Sequence, residues 1–152
     1  MTYRVVLLAD HAWRDTPGLA AVRVELERHV DGLTLAHHVE AWIVDIHLFQ
    51  QVVDLLHPHL VVLNNLSDPG RNAIADTVRR RGGLIAVLPT EGRPNTEKAV
   101  EDALKQEFRL CDLYLSWSDT FAARLPESVN KAATGSPRFD FYFRPLSGLV
   151  KS

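Results

Sequence analysis

Short apolar runs alternate with amphipathic stretches along the whole chain, and this alternation predicts its secondary structure. Residues 3–9 (Tyr-Arg-Val-Val-Leu-Leu-Ala) read as a strand buried on both faces. After Pro17 and Gly18, Leu19, Val22, Leu26 and Val30 recur at helical spacing. A turn at Asp31-Gly32 leads to a short strand over 33–37. Phe49, Val52, Val53 and Leu56 mark a second helix that stops at His57-Pro58, and 60–63 form the clearest strand. Asp68 and Pro69 supply an N-cap and a first-position proline to a helix that runs to Arg79-Arg80-Arg81 and ends at Gly82-Gly83. Strand 84–88, helix 96–108, strand 113–117, a short helix capped by Ser118 through Leu125 and strand 131–134 complete the pattern. Strictly alternating strands and helices with short loops predict an α/β fold. It is a Rossmann-like, doubly wound, mostly parallel sheet of about six strands flanked by helices.

Ligands of such sheets meet the carboxyl ends of the strands, so the residues expected there are the candidates. They are Asp10 and His11 (with Arg14), His37 and His38, Asn64 and Asn65, Thr90, Glu91 and Gly92, Ser116 (with Trp117 and Ser118), and Gly135, Ser136, Arg138 and Asp140. Asp10 is either a functional carboxylate or a turn acceptor. His11 beside it is either a general base or a surface histidine. His37 and His38 are adjacent and point to opposite faces of an extended strand, and Pro58 separates His57 from His59, so no metal site is expected. Arg71 in the first turn of the third helix suits a phosphate or carboxylate pocket with Asn64 and Asn65, or a capped helix with a solvated arginine. The triple arginine complements a helix C-terminus. Glu91, past a buried strand and before a glycine, is placed for acid/base work.

Composition narrows the classes. The chain has 152 residues, 46% hydrophobic and 24% charged, enough for one globular domain and its core. A net charge of −2 gives no electrostatic reason for a nucleic-acid partner. Apolar runs of about six residues are too short to span a bilayer, and no signal segment is recognisable. A single cysteine, Cys111, excludes an internal disulfide, fits a cytoplasmic location and reads as an apolar filler. No G-x-G-x-x-G, P-loop, H-E-x-x-H, G-x-S-x-G or C-x-x-C motif occurs, so no cofactor is expected.

Two segments carry a resemblance. Gly135-Ser136-Pro137-Arg138-Phe139-Asp140 and Leu88-Pro89-Thr90-Glu91-Gly92 resemble the glycine-proline-arginine-aspartate turn and the acidic-glycine loop of bacterial surface-carbohydrate biosynthesis proteins, glycosyltransferases of GT-B type. The likeness covers about residues 60–145. It implies a domain over 1–145 with a tail at 146–152, corresponding to the N-terminal, acceptor-side half of such an enzyme. The partners it implies are a carbohydrate acceptor and a nucleotide-sugar-binding domain or chain, with any membrane association peripheral and through partners. Glu91 would be the base, with Asp10 or His11 next, while Arg138 and Asp140 would hold the interdomain turn. With only 12 residues after Asp140, the chain is expected to be inactive without the second domain. Magnesium is not implied, because no Asp-x-Asp motif occurs. A UDP-GlcNAc 2-epimerase-like half and a non-catalytic Rossmann-like binding module are the alternatives. A phospho-receiver is disfavoured, since Asn64-Asn65 and Ser116-Trp117 stand where its aspartate and lysine belong.

Overall fold

The computed structural model describes residues 2–31, 38–89 and 96–135. Among these, six strands form one parallel sheet: β1 (Thr2–Ala9), β2 (His38–Asp45), β3 (Leu60–Leu63), β4 (Leu84–Val87), β5 (Leu113–Ser116) and β6 (Lys131–Ala133). Their order is β2-β1-β3-β4-β5-β6. The helices are α1 (Ala12–Asp31), α2 (Phe49–Leu56), α3 (Pro69–Arg80), α4 (Glu97–Ala103) and α5 (Asp119–Ala122). This is the Rossmann-like α/β architecture expected from the alternation.

The chain moves outward from β1 to β2, then reverses and builds every later strand on the other side of β1. Right-handed crossovers require such a reversal to change the face on which the connecting helix lies. Accordingly α1 packs through Leu19, Val22 and Leu26 on the face carrying Val5, Leu7, Val39, Ala41, Val62 and Ala86. Helices α2, α3 and α5 pack through Phe49, Val53, Ala75, Val78 and Phe121 on the opposite face, against Val6, Leu8, Val61, Leu63, Ile85, Val87 and Tyr114. Strand β1 alternates between the two cores residue by residue, which is why it reads as continuously apolar.

Local chemistry sets the ends of these elements. Asp68 accepts a hydrogen bond from Arg71 N–H at 3.0 Å and Pro69 opens α3, as the sequence predicts. Thr96 caps α4 and Ser118 caps α5 in the same way. Behind α3 the chain turns tightly: a Cβ on Gly83 would lie 2.7 Å from Val78 Cγ1 and 2.9 Å from the Pro58 carbonyl, which only glycine avoids. Gly135, the last described residue, takes a left-handed φ of 77°, a region that glycine enters without strain. Each of the three arginines of the triplet has an acidic partner. Arg79 pairs with Asp112, Arg80 with Asp76 at 3.0 Å and Arg81 with Asp54 at 2.6 Å.

Three expectations change. The expected strand over 33–37 lies outside the described residues, and the second strand is His38–Asp45. It is an edge strand in which Val39 and Ala41 are buried and alternate with half-exposed neighbours, so it lacks the continuous apolar signal of a central strand. His38 therefore begins β2, opposite Thr2, at the amino edge rather than at the ligand-facing edge. Helix α1 begins at Ala12, with Pro17 inside it. A proline donates no N–H, so one intrahelical bond is lost near the start, where the helix is anchored by Asp15 instead. Finally, α4 stops at Ala103 because Gln106 and Glu107 turn inward. Gln106 Oε1 accepts the Leu66 N–H at 2.9 Å and Glu107 N–H donates to the Leu66 carbonyl at 3.0 Å.

Candidate functional site at the seam between β1 and β3

The direction of winding reverses between β1 and β3, and the loops leaving these two neighbouring strands diverge to opposite faces of the sheet. This is the position at which open parallel sheets form a ligand crevice. Asp10 leaves the end of β1, and Asn64 leaves the end of β3. Arg71 reaches the same point from the first turn of α3. Its Nη2 donates to Asp10 Oδ2 at 2.5 Å, and Asn64 Nδ2 donates to the same oxygen at 3.2 Å. Arg71 Nη1 pairs with Asp68, the cap of its own helix. Side-chain exposure rises outward through the cluster, from 7% at Asp10 to 22% at Arg71 and 38% at Asp68.

A second carboxylate holds the loop that carries Asp10. Asp15, 1% exposed, accepts hydrogen bonds on Oδ2 from the N–H groups of Asp10 (3.0 Å) and His11 (2.9 Å). Reaching back from the first turn of α1, it resembles a capping-box acid. Arg14 Nε donates to its other oxygen at 2.9 Å.

Charge decides what this crevice favours. Among the described residues it carries three carboxylates (Asp10, Asp15, Asp68) and two guanidiniums (Arg14, Arg71), one net negative charge. Both terminal nitrogens of Arg71 are already bonded to carboxylates. The phosphate or carboxylate pocket considered for Arg71 is therefore disfavoured: an anion would have to displace Asp10 or Asp68 and sit among like charges. Asp10 Oδ1 carries no hydrogen bond from a described residue, which leaves an acceptor for a hydroxyl donor.

The remaining candidates fall elsewhere. The side chain of His11 is exposed, and its backbone N–H serves the loop. Asn65 Oδ1 accepts from Ser67 N–H (3.1 Å) and Ser67 Oγ–H (2.6 Å), which shapes the β3–α3 loop. Ser116 is fully buried and its hydroxyl donates to the Ser118 carbonyl at 2.8 Å, so it builds the β5 turn rather than presenting a group to ligand. Trp117 Nε1–H donates to the Pro89 carbonyl at 2.9 Å and ties the ends of β4 and β5 together. At the opposite edge, His59 Nδ1 accepts the Arg4 N–H at 3.0 Å. Thr90, Glu91, Gly92, Ser136, Arg138, Asp140 and His37 lie outside the described residues.

Burial pushes the Cys111 thiol up to about 11, the setting of an inert filler. Among the described residues, no group of three His, Cys, Asp or Glu side chains could hold a metal ion. Nor is any described helix long and apolar enough to cross a membrane. Two residues at this edge, Asp15 and Trp13, were missed by sequence reasoning because the helix was started only after Pro17.

The fold is that of a Rossmann-like α/β protein, with a cluster of acidic and basic side chains at the switch point between β1 and β3. No family model, curated protein or solved structure matches the chain.

Proposed function

We propose that this chain is the acceptor-binding, Rossmann-like half of a GT-B-type glycosyltransferase of bacterial surface-polysaccharide synthesis, and that its β1/β3 crevice receives a hydroxyl-rich, uncharged portion of the acceptor. The supporting observation is the Asp10–Arg71–Asp68 cluster. It sits where such sheets take ligands, both terminal nitrogens of its arginine are bonded to carboxylates, and Asp10 keeps one acceptor oxygen for a sugar hydroxyl. A nucleotide diphosphate, by contrast, calls for free cations or free backbone N–H groups. In this reading Asp10 binds and does not act as base, since Arg71 and Asn64 both hold its Oδ2. Glu91, carried by the motif resemblance, takes the part of the base.

Saturation-transfer NMR with neutral methyl glycosides and with UDP and CDP tests this reading. Glycosides are expected to receive saturation from the native chain and to lose it with Asp10→Asn. Binding of the nucleotides with no glycoside signal would overturn the assignment to the acceptor side.

A further inference from the structure

Strand β2 closes one side of the sheet, and among the described residues nothing pairs with its outer edge. The groups offered by that edge follow from β1. Arg4 turns both its N–H and its C=O toward β3, donating to His59 Nδ1 at 3.0 Å and accepting from His59 N–H at 2.9 Å. Glu40, opposite Arg4 in register, therefore bonds β1, and by alternation the backbone groups of Val39, Ala41 and Ile43 point outward. The strand pairs with β1 without a bulge from His38 to Asp45 and holds no proline, so it lacks the devices that blunt most edge strands. Beside it stand Arg23 and Glu27 of α1, joined to each other at 3.0 Å and partly exposed. Together with the consecutive residues 38–42 they line a cavity of about 340 Å³. Consecutive strand residues share one cavity through the backbone edge, because their side chains alternate between faces.

We propose that this edge is a dimer interface, at which β2 pairs antiparallel with β2 of a second copy across a two-fold axis. Such an axis stands normal to the sheet and keeps α1 on the same face in both copies, so only residues of the same face can be opposed. With the axis at Ala41, Ala41 meets Ala41, and Val39 meets Ile43 of the second copy. Each of these pairs exchanges its outward N–H and C=O groups. Their side chains belong to the core beneath α1, which then continues from one copy into the next. An axis at Glu40 would oppose two carboxylates, and one at Trp42 would set Val39 against Asp45, so the register at Ala41 is favoured. Charge agrees with it. Helix α1 joins two parallel strands and so runs against β2, and the axis places Arg23 opposite Glu27 of the second copy and Glu27 opposite its Arg23. The charges then alternate in sign around the axis. An unrelated strand would have to bring such a helix with it, whereas a second copy supplies it by symmetry. The assembly does not depend on the acceptor-binding reading.

Sedimentation equilibrium of the native chain, of Arg23→Glu, of Glu27→Arg and of the exchange variant carrying both substitutions tests this. The native chain is expected to form a dimer in the micromolar range. Each single reversal sets like charges across the axis and is expected to raise the dissociation constant at least about tenfold. The exchange variant restores opposite charges and is expected to recover the native constant. Both side chains are partly exposed, and melting curves of dilute samples check that all the variants fold. Amide exchange gives a second readout on the native chain alone. Protection of Val39, Ala41 and Ile43 is expected to rise with protein concentration, while that of Glu40 and Trp42, already bonded to β1, stays constant. A native chain that remains monomeric up to about 1 mM would overturn the dimer and leave the edge to a different chain. A dimer indifferent to both single reversals would overturn this interface. Protection of Val39 and Ala41 that does not change with concentration would also overturn it, since the edge would then be covered within one copy.

Discussion

Arg71 Nη2 lies 2.5 Å from Asp10 Oδ2, joining the end of β1 to the start of α3 across 61 residues of sequence. The pair closes the seam at which the sheet reverses its winding, so one contact both stabilises the fold and defines its crevice. Removing the cation leaves Asp10, 7% exposed, facing Asp68 with no positive partner. Arg71→Ala is expected to lower unfolding free energy by about 2–3 kcal/mol. Adding Asp10→Asn to Arg71→Ala removes the stranded charge and is expected to recover part of the loss. Urea denaturation of the two single variants and the double variant measures this coupling. Additive effects would show that the pair does not interact.

Asp15 holds the loop from below. Asp15→Ala leaves two backbone N–H groups without their acceptor and is expected to cost about 2 kcal/mol. Amide exchange supplies the specific readout. Asp10 and His11 are expected to lose protection selectively, while Val6 and Leu8 in β1 keep theirs. Uniform acceleration across the sheet would instead mean that Asp15 acts on global stability alone.

The arginine triplet separates a structural charge from solvated ones. Asp112 accepts the buried Ile85 N–H at 2.8 Å while pairing with Arg79, so it pins the start of β4 beside β5. Asp112→Ala is expected to cost about 1–3 kcal/mol, and Arg80→Ala less than about 0.5 kcal/mol, because the Arg80–Asp76 pair is exposed on both sides. Thermal melting of the two variants distinguishes them.

Alkaline pH probes the core. Burial pushes the Tyr114 phenol from 10.0 to about 12, so the unfolded chain releases this proton first. The stability that comes from keeping the phenol neutral is complete below about pH 10 and is lost as pH rises toward about 12. Cys111 acts in the same direction between 9.0 and about 11. Urea midpoints are expected to fall across this range, less steeply in Tyr114→Phe and, in its lower part, in Cys111→Ala. An unchanged slope in both variants would refute this origin.

Much of the architecture is legible from local pattern, and the departures have local causes. Strands β1, β3, β4 and β5 are apolar enough to stand out, and α3 announces itself through Asp68 and Pro69. Strand β2 is an edge whose apolar run is only the four residues 41–44, set off by His38 and Glu40 before it and Asp45 after it, and the stretch at 33–37 after the Asp31-Gly32 turn draws the assignment instead. Pro17 hides the true start of α1 and, with it, the capping role of Asp15 and the position of Trp13. Asp10, Asn64 and Arg71 are each recognisable as strand-end or helix-start residues. Their meeting is not, because it depends on β3 adding beside β1 rather than beside β2, a choice made by the crossovers. The pairing of both terminal nitrogens of Arg71 with carboxylates follows from that meeting, and neither the anion-pocket reading nor the solvated-arginine reading anticipates it.

The most direct test is a titration of the native chain followed at the backbone amides of Asp10 and His11 and the side-chain amide of Asn64, comparing a neutral methyl glycoside with inorganic phosphate. An acidic, hydroxyl-accepting crevice predicts that the glycoside shifts these resonances saturably, that phosphate does not, and that Asp10→Asn removes the response. Saturable binding of phosphate at the same resonances, with none by the glycosides, would contradict the account.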